Sequence, residues 1–433
     1  MAPEEPYVLD KERHVKYWKR CAQILPEPYT SGEAHRMSFG FFIVAALDLL
    51  GVLDTAITPS EKHGWIEWIY TCQVPHTGGF RGFTGTLLGG QRSYHNWHWD
   101  PANLPNTYFA LAALVVLGDD LSRVKRKECL AWVAALQRPN GSFGEFLGEN
   151  DQIEGEDDPR LCMCAMGVMK ILQGHGEHTK PSSFNEANLR RYIASCQSHE
   201  GGIGQAPLLE AHSGLNYCGI ATLSFLALLQ NPSVSMQEMA ERANFDITVC
   251  TRWILDRQTT WVEEEEEDDE EEDEDTDNQS RQRVDTNNNN EDQQSSPSNM
   301  SGLHTGLVTE KAIAGFCGRC GKIADTCYCF WNVGALAQIL QQHHLVDVDS
   351  LRRYLLGKVT HVIGGFAKGP GELPDLLHSY LGLATLAIYN EPGLKELDPT
   401  FCISKDAVQR LAKVAQQQKV ALLYDFDPRT RDS

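Results

Sequence analysis

The sequence lacks any apolar run long enough to cross a membrane. Its longest apolar stretches fall short of the roughly 18 residues that a bilayer requires. Its first residues, MAPEEPYVLDKERHVKYW, contain no apolar segment of the kind found in signal peptides. Basic residues are also scarce, with 38 Lys and Arg against 59 Asp and Glu. We therefore expect a soluble, cytoplasmic protein that neither inserts into a membrane nor binds nucleic acid.

The pattern expected of a disulfide framework is missing as well. The 13 cysteines are odd in number and scattered, and Cys162, Cys164 and Cys218 lie inside apolar, helix-like runs. A chain of 433 residues with 42% hydrophobic residues can bury a large core without covalent staples. We expect the thiols to be reduced.

Alternation with a period of two is rare, so the sequence predicts little sheet. A glycine-containing turn recurs instead, and each copy is followed by an apolar run. The copies of the turn are CQVPHTGGFRGF, LQRPNGSFGE, CQSHEGGIGQ, AGFCGR and VIGGFAKG. The apolar runs, the first of which precedes the first turn, are FFIVAALDLL, TYFALAALVVLG, RLCMCAMGVMKIL, YCGIATLSFLALL, CFWNVGALAQIL and LHSYLGLATLAIY. Their period of about 50 to 60 residues, with an acidic insertion discounted, is typical of helical-hairpin repeats.

Amphipathic stretches such as KRKECLAWVAALQ and NLRRYIASCQ lie between the apolar runs. A helix that is apolar on all sides must be buried on all sides, whereas an amphipathic helix has one face in water. The sequence therefore predicts an all-α fold, an α-α toroid of the α6-α6 barrel type. Apolar helices would form an inner ring around a central cavity, and amphipathic helices would form an outer ring.

An acidic low-complexity segment interrupts this pattern at residues 262–301. Residues 263–292 contain 17 acidic residues against Arg281 and Arg283, and so contribute −15 of the net charge of −21. The segment has almost nothing apolar to bury, which predicts a disordered insertion. We expect a single domain over residues 1–433 that contains this insertion.

Four cysteines lie in the segment CGRCGKIADTCYCFW, which begins at Cys317. A closed structural zinc site usually takes its thiolates from two CxxC pairs, but the second pair here is CxC. At the start of a helix, Cys327 and Cys329 would point about 200° apart. Asp325 and Cys327, joined by a histidine such as His378 in PDLLHSYLG, would leave a fourth ligand position open, as a catalytic zinc requires. A buried free thiol is the alternative role for Cys327.

At this point the sequence resembles the β subunits of the protein prenyltransferase family, in particular their type I geranylgeranyltransferase branch. The motifs that carry the resemblance are RHVKYWKRCAQILPEPY, IEWIYTCQV, LGDDLSRV, LEAHSGLNYCGIA, DTCYCFW and GGFAKGPGELPDLLHSYLG. They cover nearly the whole chain except the acidic insertion and the last thirty or so residues. The resemblance implies an α-α barrel that works together with a separate α subunit.

The resemblance implies one zinc ion held by Asp325, Cys327 and His378, with Tyr328 completing the catalytic group. In the family, the metal holds the thiol of a cysteine near the C-terminus of a substrate protein. The thiolate attacks C1 of an isoprenyl diphosphate, and pyrophosphate leaves. Zinc coordination deprotonates a thiol, which is consistent with this chemistry. The resemblance gives Cys317 and Cys320 no role.

The family's diphosphate pocket corresponds to His212, Arg319, Lys322 and Tyr328. A leaving diphosphate gains charge in the transition state and needs cations and hydrogen-bond donors. The alternative for Arg319 and Lys322 is that they are solvated loop cations. Lys368 stands where the farnesyl enzymes carry a magnesium-binding carboxylate. We therefore expect that magnesium is not required.

The resemblance also assigns the lipid pocket. Ser38 stands where farnesyltransferases carry a tryptophan that shortens the pocket, which favours the longer geranylgeranyl group. Tyr108, Arg160 and Trp331 are expected on the lipid-facing wall. The alternatives are core packing for the two aromatic residues and an ordinary helix-end cation for Arg160.

We therefore predict the catalytic β subunit of a heterodimeric, zinc-dependent protein geranylgeranyltransferase type I. Its substrates would be geranylgeranyl diphosphate and CaaX proteins ending in Leu or Phe, such as Rho-type small GTPases. Within the enzyme class, the alternatives are the β subunits of farnesyltransferase and of the Rab-type geranylgeranyltransferase. A non-catalytic helical-repeat scaffold with a structural zinc and a peptide-binding face is the alternative outside it. Terpene cyclases share the barrel, but their DxDD motif is absent here.

Overall fold

Six helices form a closed inner ring. The computed structural model describes residues 7–85, 93, 95–173, 184–231, 233–262, 311–339 and 341–424. The predicted insertion at 262–301 therefore lies outside the described residues, apart from Val262. The inner helices are α2, α5, α7, α9, α12 and α14, which span Arg36–Leu49, Leu104–Leu117, Pro159–Gln173, Ser213–Gln230, Thr326–Gln338 and Leu376–Ile388. Each contacts the next in this order, and α14 contacts α2, which closes the ring.

The outer helices alternate with the inner ones along the chain. They are α1, α4, α6, α8, α11 and α13, which span Lys11–Gln23, Pro59–Thr71, Arg126–Ala135, Glu186–Ser195, Ile247–Leu255 and Val348–Arg353. Helices α1, α4, α6 and α11 pack against α2, α5, α7 and α12, respectively. The other α-helices of the described residues are α3 (Leu53–Ala56), α10 (Met236–Ala243) and α15 (Lys405–Tyr424). The predicted arrangement of apolar helices inside amphipathic ones is confirmed.

In the described part of the chain, sheet is limited to three two-stranded antiparallel sheets and several isolated bridges. The sheets pair β1 (Phe146–Leu147) with β2 (Ile153–Glu154), β3 (Gln258–Thr259) with β4 (Gly315–Phe316), and β5 (Leu397–Asp398) with β6 (Ile403–Ser404). None of the described helices is both long and apolar enough to cross a bilayer.

Close packing against the next outer helix explains why the repeated turns contain glycine. Gly141 has φ +102°, and a Cβ atom there would lie 2.2 Å from the carbonyl oxygen of Asn188 in α8. Gly201 has φ +106°, and its Cβ would lie 2.5 Å from the carbonyl oxygen of Val249 in α11. Each turn therefore presses directly on the backbone of the next outer helix, where only glycine fits.

The same contact joins the two ends of the ring. A Cβ at Gly364 would lie 2.4 Å from the carbonyl oxygen of Arg13 in α1. The N–H of Gly365 donates to Nδ1 of His14 at 3.2 Å, and the His14 ring stacks on Phe366 with centroids 4.8 Å apart. The last glycine turn thus docks on the first outer helix, with a fully buried histidine at the joint.

His14 makes the ring closure sensitive to acid. Burial lowers its pKa from 6.5 to about 4. The unfolded chain therefore binds more protons than the folded chain between these two pH values, and stability is lost as pH falls through that window. The full loss is about 3 kcal/mol.

The measurement is the free energy of unfolding of the wild type and of His14→Asn between pH 7 and pH 4. Asparagine keeps an acceptor for the Gly365 N–H but does not titrate. We expect a clearly shallower decline with acid for the variant. Equal slopes for the two proteins would show that His14 is not the responsible group.

Candidate metal centre and cationic cavity

Three side chains that can bind a metal meet at the N-terminal ends of α12 and α14. Ligand atoms of Asp325, Cys327 and His378 all lie within 4.8 Å of one another. Nε2 of His378 is 3.3 Å from Oδ1 of Asp325. Asp325 and Cys327 are buried and His378 is mostly so. The three predicted ligands are therefore brought together from two inner helices.

Helix capping orients these side chains. Asp325 is the N-cap of α12, and its Oδ1 accepts from the backbone N–H of Cys327 at 2.8 Å. Asp375 is the N-cap of α14 and accepts from the backbone N–H of His378 at 2.9 Å. Aspartate is favoured at this position because it satisfies an otherwise unpaired helix N–H. The two aspartate caps thus fix where α12 and α14 begin, and the candidate ligands lie at the same end of these neighbouring helices.

Asp375 is a candidate site residue that the sequence analysis did not identify. Its Oδ2 lies 2.5 Å from Nδ1 of His378, which leaves Nε2 facing Asp325. A carboxylate on the far nitrogen is the usual partner of a metal-binding histidine. The signal was available in the sequence as D-x-x-H, an N-cap aspartate three residues before the histidine.

The electrostatics of the cluster favour a cation. Burial opposes ionisation of Asp325, but hydrogen bonds from His378 and Cys327 outweigh it and lower the pKa of the carboxyl. Burial also lowers the pKa of His378, but hydrogen bonds to Asp325 and Asp375 raise it overall to about 9. Burial and the charge of Asp325 raise the pKa of the Cys327 thiol. A metal ion would replace the protons now held by Cys327 and His378.

The donor set fits zinc. One carboxylate, one thiol and one imidazole are ligands that zinc accepts, and three protein ligands leave one position open for a substrate. Cys329 does not belong to the cluster, because its Sγ faces the carbonyl oxygen of Asp325 at 3.7 Å. Cys317 faces the carbonyl oxygen of Arg257 at 3.4 Å. Within the described ranges no other group of three potential ligands comes together, so the four cysteines do not form a closed thiolate site.

A cationic cavity of about 240 Å³ adjoins the metal centre. Its lining includes Arg319, Lys322, Tyr328 and Lys368 together with Asp325. In the described part of the chain, Arg319 lies 3.5 Å from the carboxylate of Glu210, and Lys368 lies 4.0 Å from that of Glu372, which also lines the cavity. The predicted diphosphate cations, including Lys368, therefore face one space beside the metal ligands.

His212 and Tyr328 are coupled at this cavity. The backbone N–H of Gly214 donates to Nδ1 of His212 at 3.1 Å, so the neutral ring carries its proton on Nε2. Nε2 lies 3.2 Å from the Tyr328 oxygen and donates to it. Burial raises the pKa of Tyr328 to about 12, so its hydroxyl keeps a proton that can be donated into the cavity. The N-termini of α9 and α12 also converge here, and helix N-termini attract anions.

Aromatic side chains with accessible surface occur on the inner helices. Phe42, Phe109 and Trp331 lie on inner helices and keep part of their surface accessible. Phe42 packs against Phe109 and Tyr380 of the neighbouring inner helices, at 5.9 and 5.6 Å between centroids. The outer ring covers the other side of these helices, so the accessible surface faces the interior. Ser38 lies one turn before Phe42 on the same face of α2.

The two remaining lipid-wall candidates differ in their surroundings. Tyr108 is 3% exposed, and its hydroxyl donates to the carbonyl oxygen of Phe401 at 2.8 Å. Arg160 lies at the start of α7, is half exposed and pairs with Asp158 and Glu156. Tyr108 is thus buried one turn into α5, whereas Arg160 is a paired, half-exposed cation at the start of α7.

The ring and its site define an α-α toroid with a metal-binding group and an anion-binding cavity at one end. The family described as the prenyltransferase alpha-alpha toroid domain matches residues 9–403. The chain belongs to this family of transferases, within its branch of type-1 geranylgeranyl transferase β subunits, as two relatives indicate. The predicted fold class and family are confirmed.

The first of these relatives is the geranylgeranyl transferase type-1 subunit beta of Dictyostelium discoideum. It is 31% identical over 416 residues, covering 92% of this chain and 96% of the relative. The protein of the same name from Arabidopsis thaliana is 30% identical over 410 residues, covering 90% and 88%. A farnesyltransferase β subunit from Schizosaccharomyces pombe is less similar, at 23% over 399 residues, covering 88% and 80%.

A solved structure supports the fold. The Candida albicans protein geranylgeranyltransferase-I complexed with GGPP matches with a TM-score of 0.71. The alignment covers 94% of this chain and 99% of that chain at 23% sequence identity. At this identity the likeness extends to the arrangement of the helices.

Proposed function

We propose that the chain is the catalytic β subunit of a zinc-dependent protein geranylgeranyltransferase type I, which transfers a geranylgeranyl group from its diphosphate to a protein cysteine. The observation that carries this proposal is the contact between two sites at the mouth of an apolar ring. A three-ligand metal group adjoins a cavity lined by three cations. The metal group would bind a thiol, the cationic cavity a diphosphate, and the apolar interior of the ring a lipid.

Residues of this chain would hold the metal ion that activates the substrate thiol. Asp325, Cys327 and His378 would hold one zinc ion, with Asp375 orienting the histidine. When bound, zinc supplies the charge that deprotonates a coordinated thiol near neutral pH. Attack of the substrate sulfur on C1 forms the thioether as the bond from C1 to the diphosphate oxygen breaks.

The leaving diphosphate would lie in the cationic cavity. Arg319 and Lys322 neutralise its charge, and the Tyr328 hydroxyl donates a hydrogen bond that His212 orients. These groups are already in position before the reaction, and preorganised donors of this kind lower the barrier when charge develops in the transition state. Lys368 adds a fixed ammonium at the same cavity, so we propose that magnesium is not required.

The choice of prenyl group rests on the space inside the ring. Ser38 is small and lies one turn from Phe42, so that end of α2 leaves room for a longer isoprenoid. The relatives that are 30 and 31% identical are type-1 geranylgeranyl transferase β subunits, which supports the same choice. Farnesyl transfer is the alternative.

We further propose that the chain acts with an α subunit in the cytoplasm. By analogy with its family, its protein substrates would be small GTPases, such as Rho-type proteins, that end in a CaaX sequence with Leu or Phe last. A scaffold that binds peptides without chemistry is the other class of function. Three cations gathered beside a three-ligand metal group favour the enzyme.

The test is prenyl transfer by the full chain co-expressed with an α subunit. Farnesyl and geranylgeranyl diphosphate are compared on peptides ending in Leu or Ser, with zinc present and with or without magnesium. We expect zinc-dependent transfer that prefers geranylgeranyl and Leu and changes less than about twofold with magnesium. Preference for farnesyl and Ser would favour farnesyltransferase, strong activation by magnesium would contradict the role of Lys368, and absence of transfer would favour the scaffold.

A further inference from the structure

Two cysteines bracket one of the cations of the cationic cavity. Cys317 and Cys320 lie in the segment CGRC between β4 and α12, and Arg319 directly precedes Cys320. All thirteen cysteines of the chain fall within the described residues. Eleven are buried, Cys402 is half-buried, and Cys320 is exposed. In the described ranges no third ligand joins Cys317 and Cys320 to form a metal group, so the pair has no place in the site described above.

The loop folds back on Cys317. The backbone bends at the two residues between the cysteines and then turns at Cys320 and Gly321, where Gly321 has φ +66°. The backbone N–H of Lys322 thereby returns to the sulfur of Cys317. Cys320 is also among the groups whose charge acts on the Cys317 thiol, so the two side chains are neighbours in space. One thiol of the pair is thus open to solvent, and the other lies buried behind it.

An unpaired guanidinium lies beside the buried thiol. Arg257 is 7% exposed, and its Nε and Nη1 atoms are buried with no hydrogen-bond partner among the described residues. The guanidinium lies over the ring of Trp253 at 4.8 Å. The Arg257 carbonyl accepts from the backbone N–H of Cys317 at 3.0 Å and faces the Cys317 sulfur at 3.4 Å.

This guanidinium favours negative charge on the buried sulfur. Burial raises the pKa of the Cys317 thiol, and the positive charge of Arg257 opposes that rise. A buried cation without a counter-ion is unfavourable, and an anion that forms next to it relieves that cost. The thiolate is the form of cysteine that attacks another sulfur. The structure therefore holds an exposed thiol, a buried thiol and a cation that stabilises the buried thiolate.

The loop between the cysteines carries or contacts several groups of the cationic cavity. Arg319 belongs to the loop and lines the cavity. A Cβ at Gly318 would lie 2.3 Å from the ring of Tyr328, so the loop packs directly on that ring. The carbonyl of Gly318 accepts from the backbone N–H of Ser213, the residue after His212, at 3.0 Å. A shift of this loop would therefore move Arg319 and disturb the packing around the Tyr328 hydroxyl.

We propose that Cys317 and Cys320 form a reversible disulfide on oxidation by hydrogen peroxide, and that the disulfide draws Arg319 away from the cationic cavity and slows prenyl transfer. The modification itself does not depend on the proposed function, whereas its effect on transfer rests on that function. In a reducing compartment such as the cytoplasm, disulfides that do form are usually transient and redox-sensing.

The oxidation consumes one peroxide for each disulfide. The thiolate of Cys320 attacks a peroxide oxygen, the O–O bond breaks, and a sulfenic acid forms on Cys320. The thiolate of Cys317 then attacks that sulfur, which forms the S–S bond and breaks the S–O bond. Each leaving hydroxide takes up the proton lost by the attacking thiol and becomes water. The two thiols thus lose two electrons, and a dithiol such as dithiothreitol returns them by exchange.

The first test maps the disulfide in the full chain co-expressed with an α subunit. Trypsin cleaves after Lys311, Arg319 and Lys322, so it separates the peptide AIAGFCGR from the peptide CGK. After peroxide treatment and blocking of free thiols, we expect mass spectrometry to find these two peptides linked to each other. Dithiothreitol should release them. Two separate, blocked peptides after peroxide would overturn the inference.

The second test separates this pair from the metal ligand Cys327. Peroxide should lower kcat/KM for geranylgeranyl diphosphate about tenfold or more, which is the effect of losing one charge-assisted hydrogen bond. The zinc content should stay unchanged, and dithiothreitol should restore the rate. Cys320→Ser should have the basal rate of the wild type, because Cys320 is not among the residues that line the cavity, and should resist the same treatment. Equal inactivation of the two proteins, with loss of zinc, would identify Cys327 as the oxidised group and overturn the inference.

Arg257→Met tests the role of the unpaired guanidinium. Methionine fills much of the same space without a charge, so we expect the linked peptides to form about threefold more slowly or less. Arg252→Met is the control, because Arg252 lies on the same helix region but its side chain is 85% exposed. An unchanged rate of linkage in Arg257→Met would overturn the part assigned to Arg257.

The outcomes separate this inference from the proposed function. A heterodimer that transfers a prenyl group but forms no linked peptides would overturn only the disulfide. A heterodimer that forms the linked peptides but transfers no prenyl group would support the disulfide and overturn the proposed function together with the effect on transfer.

Discussion

Replacing Cys327 by alanine is expected to remove zinc and to lower the rate of prenyl transfer by at least about a thousandfold. A metal ion contributes several kcal/mol to such reactions by stabilising charge and lowering the pKa of its ligand, and each 1.36 kcal/mol is a factor of ten. Cys327 supplies the only sulfur in the three-ligand group. The measurement is the zinc content of the purified heterodimer together with the single-turnover rate.

Cys329→Ala is the matched control for this prediction. Cys329 is two residues away on the same helix and is also buried, but its Sγ faces a backbone carbonyl instead of the ligand group. We expect that variant to keep stoichiometric zinc and most of its transfer rate. Full zinc content and activity in Cys327→Ala, with their loss in Cys329→Ala, would exchange the roles assigned to the two cysteines.

Replacing Ser38 by tryptophan is expected to reverse the choice of prenyl group. Ser38 lies one turn before Phe42 on the cavity-facing side of α2, so an indole there would fill space that a fourth isoprene unit needs. Packed interiors do not absorb such an added volume cheaply. We expect kcat/KM for geranylgeranyl diphosphate to fall about a hundredfold or more, a loss of roughly 3 kcal/mol, while that for farnesyl diphosphate is retained.

The measurement is competition between the two diphosphates on one peptide substrate. Ser38→Thr, which adds a single methyl group and keeps the hydroxyl, is the control and should leave the preference unchanged. A tryptophan variant that still prefers geranylgeranyl would show that the α2 end of the cavity does not limit chain length.

The metal centre shows which parts of the site can be predicted from local sequence. Asp325 and Cys327 are separated by one residue at a helix start, and capping preference alone places both at that end of α12. His378 is recognised through the family resemblance, and the structure brings its Nε2 within 3.3 Å of Asp325. Asp375, the partner of its other nitrogen, could have been inferred from spacing, because capping is a local interaction. The contact between the two helices could not.

By itself, the sequence determined the ring of helices. Helices apolar on every side must lie inside amphipathic ones, and the recurring glycine turns set their number and order. Only the tertiary structure decided where the ring is joined and where it ends. The hydrogen bond from Tyr108 to Phe401 spans 293 residues, and that from Gly365 to His14 spans 351. Such contacts leave no periodic signal, because they depend on side-chain geometry between segments that become neighbours only when the ring closes.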